Sequence, residues 1–224
     1  MCKSQSNLDS WLAALLPGPV TLAGHWARLE PLSAVRHGRE LWEAVCGHDE
    51  LWTWMGDGPY STYQSFLSAI ESKEVGAAAR FFAIVPAASV RAVGYASLMR
   101  MDPANGVIEV GNVLFSPSLQ RTPAATETLF LLARYIFEDL RYRRFEWKCN
   151  ALNQPSRRAA ERLGFTFEGI FRQHMIVKGS NRDTAWFAML DGEWPQCKRA
   201  FETWLDPDNF DADGRQKQTL ASCR

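Results

Sequence analysis

The chain lacks the marks of several large protein classes. The apolar run Trp11–Leu16 lies between Asp9 and Pro17. It is too short to span a bilayer and too weakly charged at its start for a secretory leader, so a cytoplasmic protein without a membrane partner is expected. Neither sign of charge is in excess: Lys plus Arg number 25 and Asp plus Glu 25. That balance gives no electrostatic reason for nucleic acid to be a partner. The five cysteines (Cys2, Cys46, Cys149, Cys197, Cys223) are scattered and odd in number, and none has zinc-ligand spacing. A reducing compartment and no bound metal are expected. There is no Walker loop, no GxGxxG, no GxSxG elbow and no HExxH helix, which sets aside the common nucleotide, hydrolase and metalloprotease signatures. Internal repeats and low-complexity tracts are missing too.

What is present is ordinary globular material rich in aromatics. Of 224 residues, 46% are hydrophobic, with nine Trp and 13 Phe, so one domain can bury a core without a disulfide or metal staple. Residues 20–32 read as an extended entry segment. Ser33 marks a helix to Cys46 with Val35, Leu41, Trp42 and Val45 for burial, and Thr62 begins another to Glu74. Strand character then takes over at 80–85, 90–101 and 107–115, the last two joined across the turn Asp102–Gly106. Thr122 as cap and Pro123 at the first helical position open a helix with Leu129, Leu132, Ile136 and Leu140 at helical spacing. A short strand at 144–149, a helix at 156–163 ended by Gly164, strands at 165–178 and 182–190, and a helix at 195–205 complete the order. The last fifteen or so residues read as a polar, loosely held tail. This order predicts an α/β (α+β) fold: one mixed, mostly antiparallel central sheet with helices on both faces.

Two stretches can carry chemistry. Val107–Glu127 runs from strand through a short polar loop into a helix start, where unpaired N–H groups suit a phosphate. Asn153–Gly169 opens a second helix, with Asn153 or Ser156 able to cap it. Together they resemble the coenzyme A-binding core of the GCN5-related N-acetyltransferase (GNAT) superfamily, in its branch of ribosomal-protein N-terminal acetyltransferases (the Rim type). The resemblance covers residues 20–192.

The resemblance implies acetyl transfer from acetyl-coenzyme A to a primary amine of a small molecule or a peptide N-terminus. It places the pyrophosphate over Gln120, Arg121, Thr122, Ala124, Ala125 and Thr126, with Pro123 where the family has glycine. The pantetheine then follows Val113, Leu114 and Phe115 and meets Asn153. The family's tyrosine acid is replaced here by Ala160, and the Asn-x-x-Ser pattern points to Ser156 as the proton donor to the leaving thiolate. The base stays open between His174 and Glu109. Histidine titrates near neutral pH, while Glu109 reads equally as an exposed hairpin charge. Arg157, Arg158 and Arg162 can approach the coenzyme's 3′-phosphate or form a solvated face, Arg157 pairing with Glu161. The expected layout is an N-terminal extension (1–19), an acyltransferase domain (20–192) and a C-terminal helix with its tail (193–224). A homodimer is compatible with all of this. The rival function is a non-catalytic acyl-coenzyme A sensor or scaffold.

Overall fold

The computed structural model describes residues 11–224. Its frame is an eight-stranded sheet in the order β1-β2-β3-β4-β5-β6-β8-β7. The strands are β1 (Leu22–Ala23), β2 (Ala27–Pro31), β3 (Ala79–Pro86), β4 (Gly94–Asp102), β5 (Val107–Phe115), β6 (Arg144–Asn150), β7 (Thr166–Val177) and β8 (Ser180–Leu190). Among the described residues β5 and β6 are the one parallel pair; every other pairing is antiparallel. The helices are α1 (Ala34–Val45), α2 (Tyr63–Val75), α3 (Pro123–Arg134), α4 (Gln154–Leu163) and α5 (Trp194–Leu205).

Why helices cover both faces is written in β3. Its run Phe81–Val85 is apolar at every position, as a strand buried on both sides requires. Alternation sends Phe81, Ala83 and Val85 into one cluster with Leu41, Val45, Phe66 and Ile70 of α1 and α2. Phe82 and Ile84 join a larger cluster with Leu129, Leu132 and Phe201 of α3 and α5. Local chemistry sets the helix ends. Thr62 and Thr122 cap α2 and α3 by accepting the N–H groups of Ser65 and Ala125, and Asn153 caps α4, which stops at Gly164 with φ 101°. In α1 the buried stripe is Ala34, His37, Gly38, Leu41 and Val45. Val35 lies one residue off that stripe and is 96% exposed, contrary to its expected burial.

The C-terminal tail also departs from expectation. Leu220 is buried in the larger cluster, Gln216 accepts the indole N–H of Trp204 at 2.7 Å, and Asn209 donates to the carbonyls of Trp204 and Gln218. Polar composition hid a segment anchored by Leu220, by Phe210 packed between Trp26 and Trp204, and by side-chain hydrogen bonds. Of the expected N-terminal extension, residues 1–10 lie outside the described residues, while Ala14 is buried in the same large cluster. Among the described residues no helix is long and apolar enough to cross a membrane.

One backbone irregularity creates the site. β5 and β6 pair only from Val107↔Arg144 to Val110↔Trp147, although β5 runs on to Phe115 and β6 to Asn150. The divergence begins where β5 carries a bulge against β4, between the pairs Ser97↔Gly111 and Tyr95↔Leu114. Asn112 sits in that bulge at φ 49°, a left-handed conformation that asparagine tolerates better than most residues. Its amide donates to Ser97 Oγ at 3.1 Å. A bulge bends and twists its strand, and here β5 leaves β6 and opens a crevice at the carboxyl ends of two parallel strands.

Candidate active site

The crevice edge is built from backbone. Residues 111–115 of β5 face β4 on one side, with Tyr95 opposite Leu114 and Gly94 opposite Phe115, and have no strand partner on the side facing β6. An extended chain laid there can pair with the backbone of Val113 and Phe115 as a strand would. Val113 and Phe115 are half-buried, while Leu114 points into the α1–α2 cluster.

Beyond Phe115 the loop turns back through Leu119 and Gln120, whose N–H groups both donate to Ser116 O. Arg121 is left-handed at φ 61°. The N–H groups of Arg121, Thr122 and Ala124 have no protein partner among the described residues, and Pro123 has none to offer. Three unpaired donors around a helix N-terminus fit an anionic group such as a pyrophosphate. Gln120 is exposed and bonded to Phe115 O at 3.0 Å. Ala124, Ala125 and Thr126 are buried; their small size serves the packing of α3 against the sheet. Arg162 donates to Thr126 Oγ1 at 3.2 Å. Arg157 does not pair with Glu161 as the sequence allowed: it donates to Ala151 O and stands over the Phe167 ring.

Ser156 lies in the first turn of α4. Its N–H donates to Asn153 Oδ1 at 3.1 Å and its Oγ accepts the indole N–H of Trp147 at 3.0 Å. With that lone pair engaged, the hydroxyl proton remains to be donated. The Cys149 thiol lies beside it; burial pushes this thiol's pKa up, and Ser156 partly offsets the effect. Trp147 and Cys149 face the helix-covered side of the sheet.

Alternation puts the other half of the site on the opposite face. Glu109 is buried rather than an exposed hairpin charge: Arg100 approaches its carboxylate at 2.8 Å and Lys148 at 2.9 Å. Lys148, itself only 5% exposed, also meets Glu146 at 2.6 Å and lies 3.7 Å from the centre of the Trp186 ring. Phe171 packs on Trp186 with centroids 4.4 Å apart. His174 is exposed, with Nδ1 3.0 Å from Thr184 Oγ1, which leaves Nε2 open. An open depression of about 760 Å³ runs along Phe171, Arg172, Gln173, His174, Asn181 and Asp183. At the tip of the β7–β8 hairpin Lys178 Nζ donates to Trp52 O at 2.8 Å. Trp52 and Tyr60 pack with Phe66 in the smaller cluster, whereas Trp54 stays 40% exposed.

The structure thus gathers Glu109 and His174 on one face and Ser156 on the other, with the crevice between. Sequence reasoning missed Lys148 and Trp186. Their signal was an alternation at positions 146 and 148 that places charge where a core strand would carry apolar residues.

Comparison with known proteins agrees with this fold. The family model described as an acetyltransferase (GNAT) domain matches residues 27–166. A solved GCN5-related N-acetyltransferase of Brucella melitensis is 48% identical and superimposes with a TM-score of 0.94, covering 95% of this chain and 97% of that one. A structure from Chromobacterium violaceum, assigned to the same family, is 38% identical with a TM-score of 0.81, over 87% and 98% of the two chains. Bacillus subtilis YdaF, provisionally named a ribosomal N-acetyltransferase, is 30% identical over 45% of this chain. That match spans 55% of YdaF's own length.

Proposed function

Because the chain belongs to the GCN5-related N-acetyltransferase family, we propose that it moves an acetyl group from acetyl-coenzyme A to a primary amine of a small molecule or a peptide N-terminus. The observation that carries this reading is the crevice between β5 and β6, with unpaired backbone donors where β5 leads into α3; an open depression for an acceptor lies along β7 and β8. We assign the transferase domain to residues 20–192, with 193–224 packed on it.

In this reading Arg121, Thr122 and Ala124 hold the pyrophosphate through backbone N–H groups, and β5 holds the pantetheine along Val113–Phe115, near Asn153. When bound, the coenzyme supplies a thioester carbonyl open to attack by a neutral amine, with its thiol as leaving group. Ser156 donates its hydroxyl proton to the departing sulfur. His174 takes the amine proton at Nε2, directly or through one water. Glu109 holds Lys148 and Arg100 in ion pairs, so its task is to fix the floor of the acceptor face.

The test is release of free thiol from acetyl-coenzyme A over a panel of amines, with thermal shift by coenzyme A measured in parallel. A shift without thiol release on any amine would leave binding alone and sink the transferase reading. Thr122→Asp probes the cradle, because aspartate caps a helix as well as threonine and adds one negative charge. It gives up the bond from Thr122 Oγ1 to Leu119 O, so a small drop in melting temperature is expected, and it should weaken coenzyme A binding about tenfold at low salt, less at high salt. Unchanged affinity would move the pyrophosphate elsewhere. His174→Ala should lower turnover about 10²–10⁴-fold where the acceptor amine is protonated and recover as pH rises and the amine deprotonates unaided. A loss that does not vary with pH would remove His174 as the base.

A further inference from the structure

The acceptor face carries a half-buried cation with nothing to answer it. Arg182 on β8 is half-buried, its Nε is fully covered, and its side chain makes no hydrogen bond or ion pair among the described residues. The nearby carboxylate of Glu109 is already engaged by Arg100 and Lys148. Burial disfavours the charged form of Arg182, Cys149 and then Glu109 offset part of that, and Arg100 adds to it. On the same face of β8 lie Thr184, the hydrogen-bond partner of His174, and Trp186, whose buried indole N–H also lacks a partner. Both orphaned groups are donors, so what is missing beside them is an oxygen acceptor. Buried donors are nearly always satisfied in native proteins, and an exception near a site calls for a ligand or water.

We propose that the amine acceptor carries a carboxylate and that Arg182 binds it. The inference rests on the acetyl-transfer reading of this face. Guanidinium matches carboxylate through two parallel N–H bonds. The Glu109 carboxylate is close enough to offset part of the charge at Arg182, which suits a monoanion better than a dianionic phosphate. The carboxylate can belong to a free amino acid or to an acidic side chain near a peptide N-terminus; the chemistry at Arg182 is the same.

Matched acceptors separate these sources and test the idea. One arm compares free amino acids with their C-terminal amides, the other compares short peptides with Asp or Glu at the second residue against Asn or Gln. In whichever arm is the true source, the carboxylate member should be favoured about 10- to 100-fold in kcat/KM, through KM. Arg182→Gln should collapse that ratio toward one, and Arg182→Lys should restore part of it, a point charge without the fork. Calorimetry with N-acetylated carboxylates and their amides asks the same question without turnover, on variants first checked for an unchanged melting temperature. Equal binding of carboxylate and amide, or a preference that survives Arg182→Gln, overturns the proposal. Absent thiol release alongside carboxylate binding lost in Arg182→Gln would instead sink the transferase reading and leave the anion site standing.

Discussion

Ser156→Ala is expected to lower kcat by about 10²–10⁴-fold while leaving coenzyme A affinity within a few-fold of the parent. The hydroxyl is the one proton donor that the first turn of α4 presents beside the crevice, and Trp147 fixes its orientation by donating to Oγ. The N-terminal end of α4 also favours negative charge nearby, which helps a serine that has given up its proton and a sulfur about to receive one. The buried Cys149 thiol alongside has a raised pKa, so it stays neutral at working pH and adds no competing anion. The substitution has a structural side effect, since the Trp147 indole N–H loses its acceptor at a cost of about 1–3 kcal/mol. Melting temperature therefore has to be read with the rate. Ser156→Thr keeps the hydroxyl and should regain much of the activity. Full rate in Ser156→Ala would mean that solvent protonates the thiolate and that catalysis rests on positioning.

Local chemistry made part of the molecule legible in the sequence. Thr122-Pro123 and Asn153 announced the two helix starts at the crevice because a cap satisfies N–H groups within three residues of itself. The strand order followed from apolar runs broken by turn residues. Features that depend on distant partners stayed hidden. Glu109 reads as a hairpin charge until β6 brings Lys148 against it, and the bulge at Asn112 has no marker beyond a residue type tolerant of positive φ. Arg182 is visible in the chain but its lack of a partner is not, because that is a statement about everything around it. The tail was misjudged because composition averages over the few residues, Leu220 and Phe210 foremost, that anchor it.

The most consequential residue that the sequence concealed is Glu127, and its removal is expected to have the largest effect on stability. From α3 its carboxylate accepts the N–H groups of His25, Trp26 and Ala27 at 2.9, 2.6 and 2.7 Å, about a hundred residues away in the chain. It is 4% exposed, so no water stands ready to replace it. Glu127→Ala leaves buried donors without an acceptor, each costing about 1–3 kcal/mol before relaxation. A net loss of about 3 kcal/mol is expected, which for a chain of this size lowers the melting temperature by about 6–12 °C. Gly24 supplies an independent check. A Cβ at this position would stand 2.3 Å from the carboxyl carbon of Glu127, so Gly24→Ala in the parent must push the carboxylate off its three donors. In the Glu127→Ala background the same methyl meets no carboxylate, and its cost should largely vanish. Urea unfolding of the two single variants and the double variant measures this directly as a coupling energy. If the two losses simply add, the carboxylate is not what holds the 24–27 turn onto α3. A strong coupling would place that clamp within one helical turn of the Thr122–Ala125 cradle, where loosening it should weaken coenzyme A binding as well.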